Sequence, residues 1–349
     1  MGLSVAMIVK NEEKYLERCL KSLPAIVNEV VVVDTGSSDR TADIAVSNGA
    51  KLLAYEWDDD FSAARNFAIN QTSGDWILVM DADEYFAEDC SSVLESFMNA
   101  GKQIGRFEIV SKYMDNGETA FARDYVSRLF PRGAAYAGRI HEQLIGNFPR
   151  RRIGGAVIHH DGYYQTDKHE RNLSLLLLEL QEKPGGSYLL FQLGRQYNSV
   201  RDYAKVEMYL TESYRLLNRT EGYAKTAVVE LLEVYRINKK FREAFSLIDA
   251  ESEYMNGVSD FHFGRAQLYL DYAIESADYS FIPEIEKAYK EALGAADEIV
   301  VGTASYRSYH NLGVFYELTG QPELAKRYYR QAAECNFGLS AERLEKMGI

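Results

Sequence analysis

The chain has 349 residues, 46% hydrophobic and 26% charged, with a formal net charge of -13 at pH 7. That length suits two domains better than one, and the acidic balance argues against nucleic acid or an anionic membrane as partner, since both need clustered Lys and Arg to replace counterions. Cys19, Cys90 and Cys335 are widely separated, show no metal-ligand spacing and leave an odd number for pairing, which points to a reducing, cytoplasmic setting. No stretch approaches the roughly 20 apolar residues of a membrane span.

Leu3 to Val9 predicts a first strand. Asn11 then offers an N-cap oxygen, Glu12 and Glu13 place negative charge in a first helical turn, and Leu16, Cys19, Leu20 and Leu23 fall on one helical face. Glu29 to Asp34 carries four consecutive valines, a strand covered on both faces. It ends at Asp34-Thr35-Gly36-Ser37-Ser38-Asp39, a turn into a second helix closed by Gly49. A third strand is predicted over Leu52 to Trp57. Asp58-Asp59-Asp60 reads as a solvated loop without chemistry, and a helix follows from Phe61 to Thr72, stopped by Ser73-Gly74. The five apolar residues Trp76 to Met80 run straight into Asp81-Ala82-Asp83-Glu84. On extended backbone, residues two apart point the same way. Asp81 and Asp83 should therefore emerge together where parallel sheets bind ligands and share one hard cation, with Ala82 leaving room for the ligand.

Beyond Glu84 the pattern turns antiparallel, and Asp115-Asn116-Gly117-Glu118 is the clearest hairpin turn. Arg128 lies in a strand-like segment, Tyr125 to Phe130. Arg139-Ile140-His141-Glu142-Gln143-Leu144 places two titratable groups side by side; extended backbone would send them to opposite faces, so only one should reach a substrate. The apolar segment Ala156 to Ile158 ends in His159-His160-Asp161-Gly162-Tyr163. Asp167 to Glu182 predicts a helix broken by Lys183-Pro184-Gly185-Gly186. From Ser187 onward there is no strand signal. Asn311-Leu312-Gly313-Val314-Phe315-Tyr316, followed by Gly320, Ala325, Tyr329 and Ala332, is similar to the tetratricopeptide signature. Looser copies run through Leu193-Gly194 and Tyr197, through Leu231, Tyr235, Ala244 and Ile248, and through Tyr269 to Leu293, so four helical pairs are expected to stack. The division expected is an α/β domain over 1–165, a linker helix over 166–186 and an all-α repeat domain over 187–349.

Four ordered segments, Val5 to Glu12, Val31 to Asp39, Ala64-Arg65-Asn66 and Asp81-Ala82-Asp83, together resemble the family 2 glycosyltransferases with the GT-A fold, a Rossmann-like, mostly parallel α/β sheet. The helical extension resembles a bacterial subgroup that includes the enzymes glycosylating cysteine or serine of bacteriocin precursor peptides, of the sublancin type. This resemblance implies a UDP-sugar donor, with Asp34 on the uracil edge and Val9, Asn11 and Glu12 flanking the base. Arg65 would bind phosphate or base in a fixed fork geometry, its plain alternative being a surface arginine. Asp81 and Asp83, completed by a late histidine, His160 rather than His159, would hold Mg²⁺ or Mn²⁺ against the charge gathering on the departing diphosphate. Asp81 and Ala82 would also border the donor, Asp81 by touching the ribose. Glu142 is the expected catalytic base, with His141 in reserve.

The function expected is metal-dependent, inverting transfer of a sugar to a Cys, Ser or Thr side chain of a peptide or protein, with the repeats binding the acceptor or pairing two copies as a homodimer. The same chemistry would also serve cell-surface polysaccharide or lipooligosaccharide assembly. A non-catalytic repeat scaffold with a vestigial nucleotide-binding domain is the alternative from a different class.

Overall fold

The computed structural model describes residues 2–115, 118–161 and 169–348, with the side chains of 113–122 left aside. The predicted turn residues Asn116 and Gly117, the segment Gly162-Tyr163 and the predicted helix start at Asp167 lie outside the described residues. The chain divides into two compact units, Met1–Glu182 and Lys183–Ile349.

In the first unit the elements alternate as β1 (Leu3–Val9), α1 (Leu16–Lys21), β2 (Val27–Asp34), α2 (Thr41–Ser47), β3 (Lys51–Ala54), α3 (Phe61–Asn70) and β4 (Trp76–Val79). There follow β5 (Glu84–Phe86), α4 (Ser91–Asn99), β6 (Ile104–Asp115), β7 (Glu118–Pro131), β8 (Ala135–Ala137), β9 (Gln143–Ile145), β10 (Arg150–His160) and α5 (His169–Glu182). One eight-stranded sheet has the order β3-β2-β1-β4-β7-β6-β10-β5. The pairs from β3 to β4 are parallel, β7 is antiparallel to both its neighbours, and β10 runs parallel to β6 but antiparallel to β5. The α/β expectation, mostly parallel in its first half and more antiparallel beyond Glu84, therefore holds.

Side-chain alternation sorts the sheet into two cores. Leu3, Val5, Met7, Val32, Trp76, Leu78 and Met80 pack with Leu16, Cys19 and Leu94 on the side of α1 and α4. Ala6, Val31, Val33, Ile77 and Val79 pack with Ala68 and Ile69 of α3 on the other. Asp81 continues the odd-numbered row of β4 and so emerges on the α3 side. Elsewhere, β10 is interrupted by a bulge. Arg152 pairs with Arg106 and the next partner, Val157, pairs with Glu108, five steps on one strand against two on the other. Gly155, inside that bulge, has φ +81°, a conformation that suits glycine.

Several boundaries differ from expectation. Asn11 does not cap a helix. It adopts φ +56°, its Oδ1 accepts from Ser38 N at 2.8 Å, and α1 starts only at Leu16, because the loop after β1 is tied to the loop after β2. The third strand stops at Ala54, and Trp57 instead sets its ring edge-on to Phe61 at 4.8 Å. Asp60 is no idle loop residue. It caps α3 by accepting from Ala63 N at 2.8 Å.

The second unit contains four successive helical pairs and a final helix. They are α6 (Ser187–Ser199) with α7 (Tyr203–Arg215), α8 (Ala224–Ile237) with α9 (Phe241–Glu251), α10 (Ser259–Ser276) with α11 (Ile282–Gly294), and α12 (Tyr306–Leu318) with α13 (Pro322–Glu334), followed by α14 (Gly338–Lys346). The Leu-Gly of the repeat signature has a physical cause. A Cβ at Gly313 would fall 2.6 Å from ring atoms of Tyr329, which is fully buried and donates to Glu317 Oε2 at 2.9 Å. Gly313→Val is accordingly expected to lower stability by about 1–3 kcal/mol through overpacking. Thermal unfolding followed by circular dichroism checks this, and an undiminished midpoint would discard the account. Among the described residues no helix is long and apolar enough to cross a membrane.

Glu230 on α8 carries a second expectation. Burial pushes its carboxyl up from an ordinary 4.5 to about 7, against the pull of Arg195, whose Nε lies 3.4 Å from Oε1. The folded state thus holds this proton more tightly than the unfolded chain. Its contribution to stability is complete below about pH 4.5 and is lost as pH rises through 7. Glu230→Gln should leave the unfolding midpoint little changed at pH 4.5 and raise it at pH 8.5, by an effect on the order of 3 kcal/mol at most. An equal shift at both pH values would contradict the assignment.

Candidate active site

A hollow of about 430 Å³ opens beyond the ends of β1 and β4, where α3, β7, β10 and the segment before β9 converge. Val9, Glu12, Arg65, Asp81, Ala82, Asp83, His141, Glu142 and His160 all line it. Asn11 and Asp34 do not. Asp34 borders a neighbouring hollow of about 470 Å³ with Gly36, Ser37, Ala54, Tyr55 and Glu56, and its Oδ1 accepts from Gly36 N at 3.0 Å and Ser37 N at 2.8 Å. It therefore shapes its own turn, as an Asp at such a position often does.

The floor of the main hollow is a continuous chain of charge. Arg65 donates from Nε to Glu142 Oε1 and from Nη2 to Asp81 Oδ1 at 2.8 Å. Arg128 donates from Nη2 to Asp81 Oδ2 at 2.6 Å and to Glu84 Oε1 at 2.5 Å. Both arginines are 8% exposed, so Arg65 is not the surface arginine of the plainer alternative. Burial alone would raise the Asp81 carboxyl, but the charges of Arg128 and Arg65 overcome it and hold the group well below the usual carboxylate range. Glu84, 2% exposed, is pushed up by burial and by the charge of Asp81, against the pull of Arg128. Arg65 Nη1 and Arg128 Nε are buried without a partner among the described residues.

Asp81 and Asp83 do not converge as expected. Extended backbone ends at Val79; Ala82 and Asp83 form a turn, closed by Glu84 N donating to Asp81 O at 3.0 Å, and the turn breaks the alternation on which the expectation rested. Asp81 faces the arginines. Asp83 instead meets His160, with Oδ2 and Nε2 3.3 Å apart, while Ser111 Oγ lies 3.3 Å from His160 Nδ1. Burial pulls the His160 imidazole down, but its hydrogen bond to Asp83 and the charge there outweigh this and raise it above its ordinary value. His159 faces elsewhere and stacks on Tyr85 at 5.3 Å. Among the described residues no group of three or more His, Cys, Asp or Glu could hold a metal ion. A divalent ion in a nucleotide site commonly uses one or two protein ligands and takes the rest from phosphates and water. The Asp83 and His160 pair fits that pattern, and Asp81 does not join it.

His141 and Glu142 were expected on opposite faces, yet both reach the hollow, because the chain bends there and His141 takes φ +51°. The bridging roles of Arg128 and Glu84 were missed. Their signal lay in charge bookkeeping: three acids beside a buried strand demand buried cations, and Arg65 and Arg128 are among the arginines set within apolar segments.

Residues 4–162 match the family model described as glycosyl transferase family 2. A TPR repeat-containing protein of Synechococcus elongatus is 37% identical over 209 residues, which cover 55% of this chain and 51% of the relative, so the chain spans about half of that relative's length. The glycosyltransferase SunS of Bacillus subtilis, derived from the SPbeta prophage, is 25% identical over 77% of this chain and 67% of its own. Among solved structures, TarS 1-349 of S. aureus superposes with a TM-score of 0.37 at 14% identity, covering 80% of this chain and 93% of that one.

Proposed function

We propose that this chain, whose residues 4–162 match the model for glycosyl transferase family 2, transfers a sugar from a nucleotide sugar, for preference a UDP-sugar, to a Cys, Ser or Thr side chain of a peptide or protein, with inversion and with the help of Mg²⁺ or Mn²⁺. The observation that carries this reading is one guanidinium, Arg65, gripping both Asp81 and Glu142 at the edge of a hollow that also contains the Asp83 and His160 pair. Asp83 and His160 would hold the ion, which when bound offsets negative charge on the diphosphate. Glu142 would take the proton from the acceptor oxygen or sulfur as that atom bonds to the anomeric carbon and the bond to the β-phosphate oxygen breaks. Arg65 would keep the Glu142 carboxylate aimed until then. Val9 and Glu12 border the donor from the end of β1, and the adjoining hollow at Asp34 has room for a base. The helical unit would supply the surface that recognises the acceptor or pairs two copies. Three free thiols, Cys19, Cys90 and Cys335, support a cytoplasmic setting.

Incubation with a panel of UDP-sugars and of thiol- and hydroxyl-bearing peptides, read by intact mass, tests the reading. A gain of one hexose or N-acetylhexosamine on a peptide is the expected result. Donor consumption with polysaccharide but no peptide as acceptor would move the protein to surface-glycan assembly. No sugar release from any nucleotide sugar, with or without Mn²⁺, would leave a binding module.

A further inference from the structure

Arg128 sits on β7 with a single nitrogen shared between two carboxylates, Asp81 and Glu84, while the other oxygen of Glu84 accepts the backbone N–H of Asp81 at 2.9 Å. With Arg65 on its remaining oxygen, the Asp81 carboxylate is gripped from both sides and cannot turn. The chain of groups from Glu142 through Arg65, Asp81 and Arg128 to Glu84 sets two guanidiniums against three carboxylates. It carries no net positive charge, whichever protonation state Glu84 takes. A diphosphate is therefore not attracted to it, whereas a hydroxyl group, which can donate to a carboxylate and accept from an arginine, matches it. Two buried N–H groups in the network, Arg65 Nη1 and Arg128 Nε, stay without partners among the described residues. A network retained for stability alone would pair them, since unpaired buried donors are costly.

We propose that Arg128, braced by Glu84, is a positioning residue that fixes the Asp81 carboxylate to receive hydroxyl groups of the donor's sugar, and that it does not bind the diphosphate. This rests on the glycosyltransferase reading above. The sugar then lies over the buried charge chain, and the diphosphate lies toward Asp83 and His160.

The test compares two ligands by calorimetric titration in the presence of Mn²⁺: inorganic pyrophosphate, which has no sugar, and the UDP-sugar that the wild-type protein turns over. Arg128→Lys keeps one positive charge and one nitrogen for the two carboxylates but loses the planar guanidinium that holds that nitrogen in place. The double substitution Arg128→Met with Glu84→Met removes the buried pair together, which avoids stranding one charge. For the double variant, affinity for the UDP-sugar should fall about 10-fold or more, the scale of a lost hydrogen bond to a charged group, with pyrophosphate within about twofold of wild type. Arg128→Lys should recover part of the loss. Equal weakening of both ligands in either variant would make Arg128 a diphosphate ligand and overturn the proposal, as would unchanged UDP-sugar affinity in both variants. If the double variant fails to fold, the ratio of the two affinities in Arg128→Lys decides. A wild-type protein that binds no nucleotide sugar of any base defeats the glycosyltransferase reading itself, a result separable from wild-type binding that the substitutions leave untouched.

Discussion

Asp83→Ala is expected to abolish sugar transfer, lowering turnover by about 1000-fold or more, while leaving the fold intact. The magnitude follows from the role. A divalent ion that stabilises the leaving diphosphate contributes several kcal/mol to the transition state, and each 1.36 kcal/mol is a factor of about ten in rate. Among the described residues the donor paired with Asp83 is His160, at 3.3 Å, and both oxygens of Asp81 already accept from guanidiniums. Asp83 is also dispensable to the core, since its side chain sits at a turn after the strand has ended. Turnover measured across a Mn²⁺ titration, alongside a circular dichroism spectrum and a calorimetric Mn²⁺ affinity, checks each part. Full turnover by this variant would remove the metal assignment altogether.

Glu142→Gln should reduce turnover by roughly 100-fold or more if Glu142 is the general base. The substitution is nearly isosteric, and the amide oxygen can still accept from Arg65 Nε where the carboxylate does now. Donor binding, set on the side of Asp81 and Asp83, should change little, so the loss belongs in kcat and not in the KM for the donor. Glu142→Ala, which also strands the Arg65 guanidinium, would confuse the two. Little change in kcat for Glu142→Gln would hand the role to His141, which lines the same hollow.

What could be read from the residues alone was whatever depends on period. The odd and even rows of β1, β2 and β4, the doubly covered sheet, and the four helical pairs ending in the sharp repeat around Gly313 all follow from spacings that local sequence displays. Asp81 is legible from the apolar strand it follows and Arg65 from the motif that carries the family resemblance, and the two meet. The failures lie where the backbone leaves a regular conformation. The turn at Ala82 and Asp83 parts two carboxylates that an extended strand would have aligned, and the bend at His141 brings together two side chains that it would have parted. Asn11 was read as a cap because it precedes acidic residues, yet its oxygen serves a loop that lies 27 positions away in sequence. No local pattern carries such a contact. Arg128 is a similar case, as its partners Asp81 and Glu84 reach it only through the antiparallel pairing of β7 with β4.

The glycine bulge in β10 determines which imidazole of the doublet faces Asp83. A slip by one residue along the last stretch of that strand exchanges its two faces, and it would bring His159 into the place His160 now occupies. Because both positions carry the same ring, an insertion in the bulge that is passed along the strand still leaves a nitrogen beside Asp83, whereas a deletion would bring Asp161 there instead. The doublet makes this wall tolerant of an added residue upstream, a margin for error that the facing aspartate lacks.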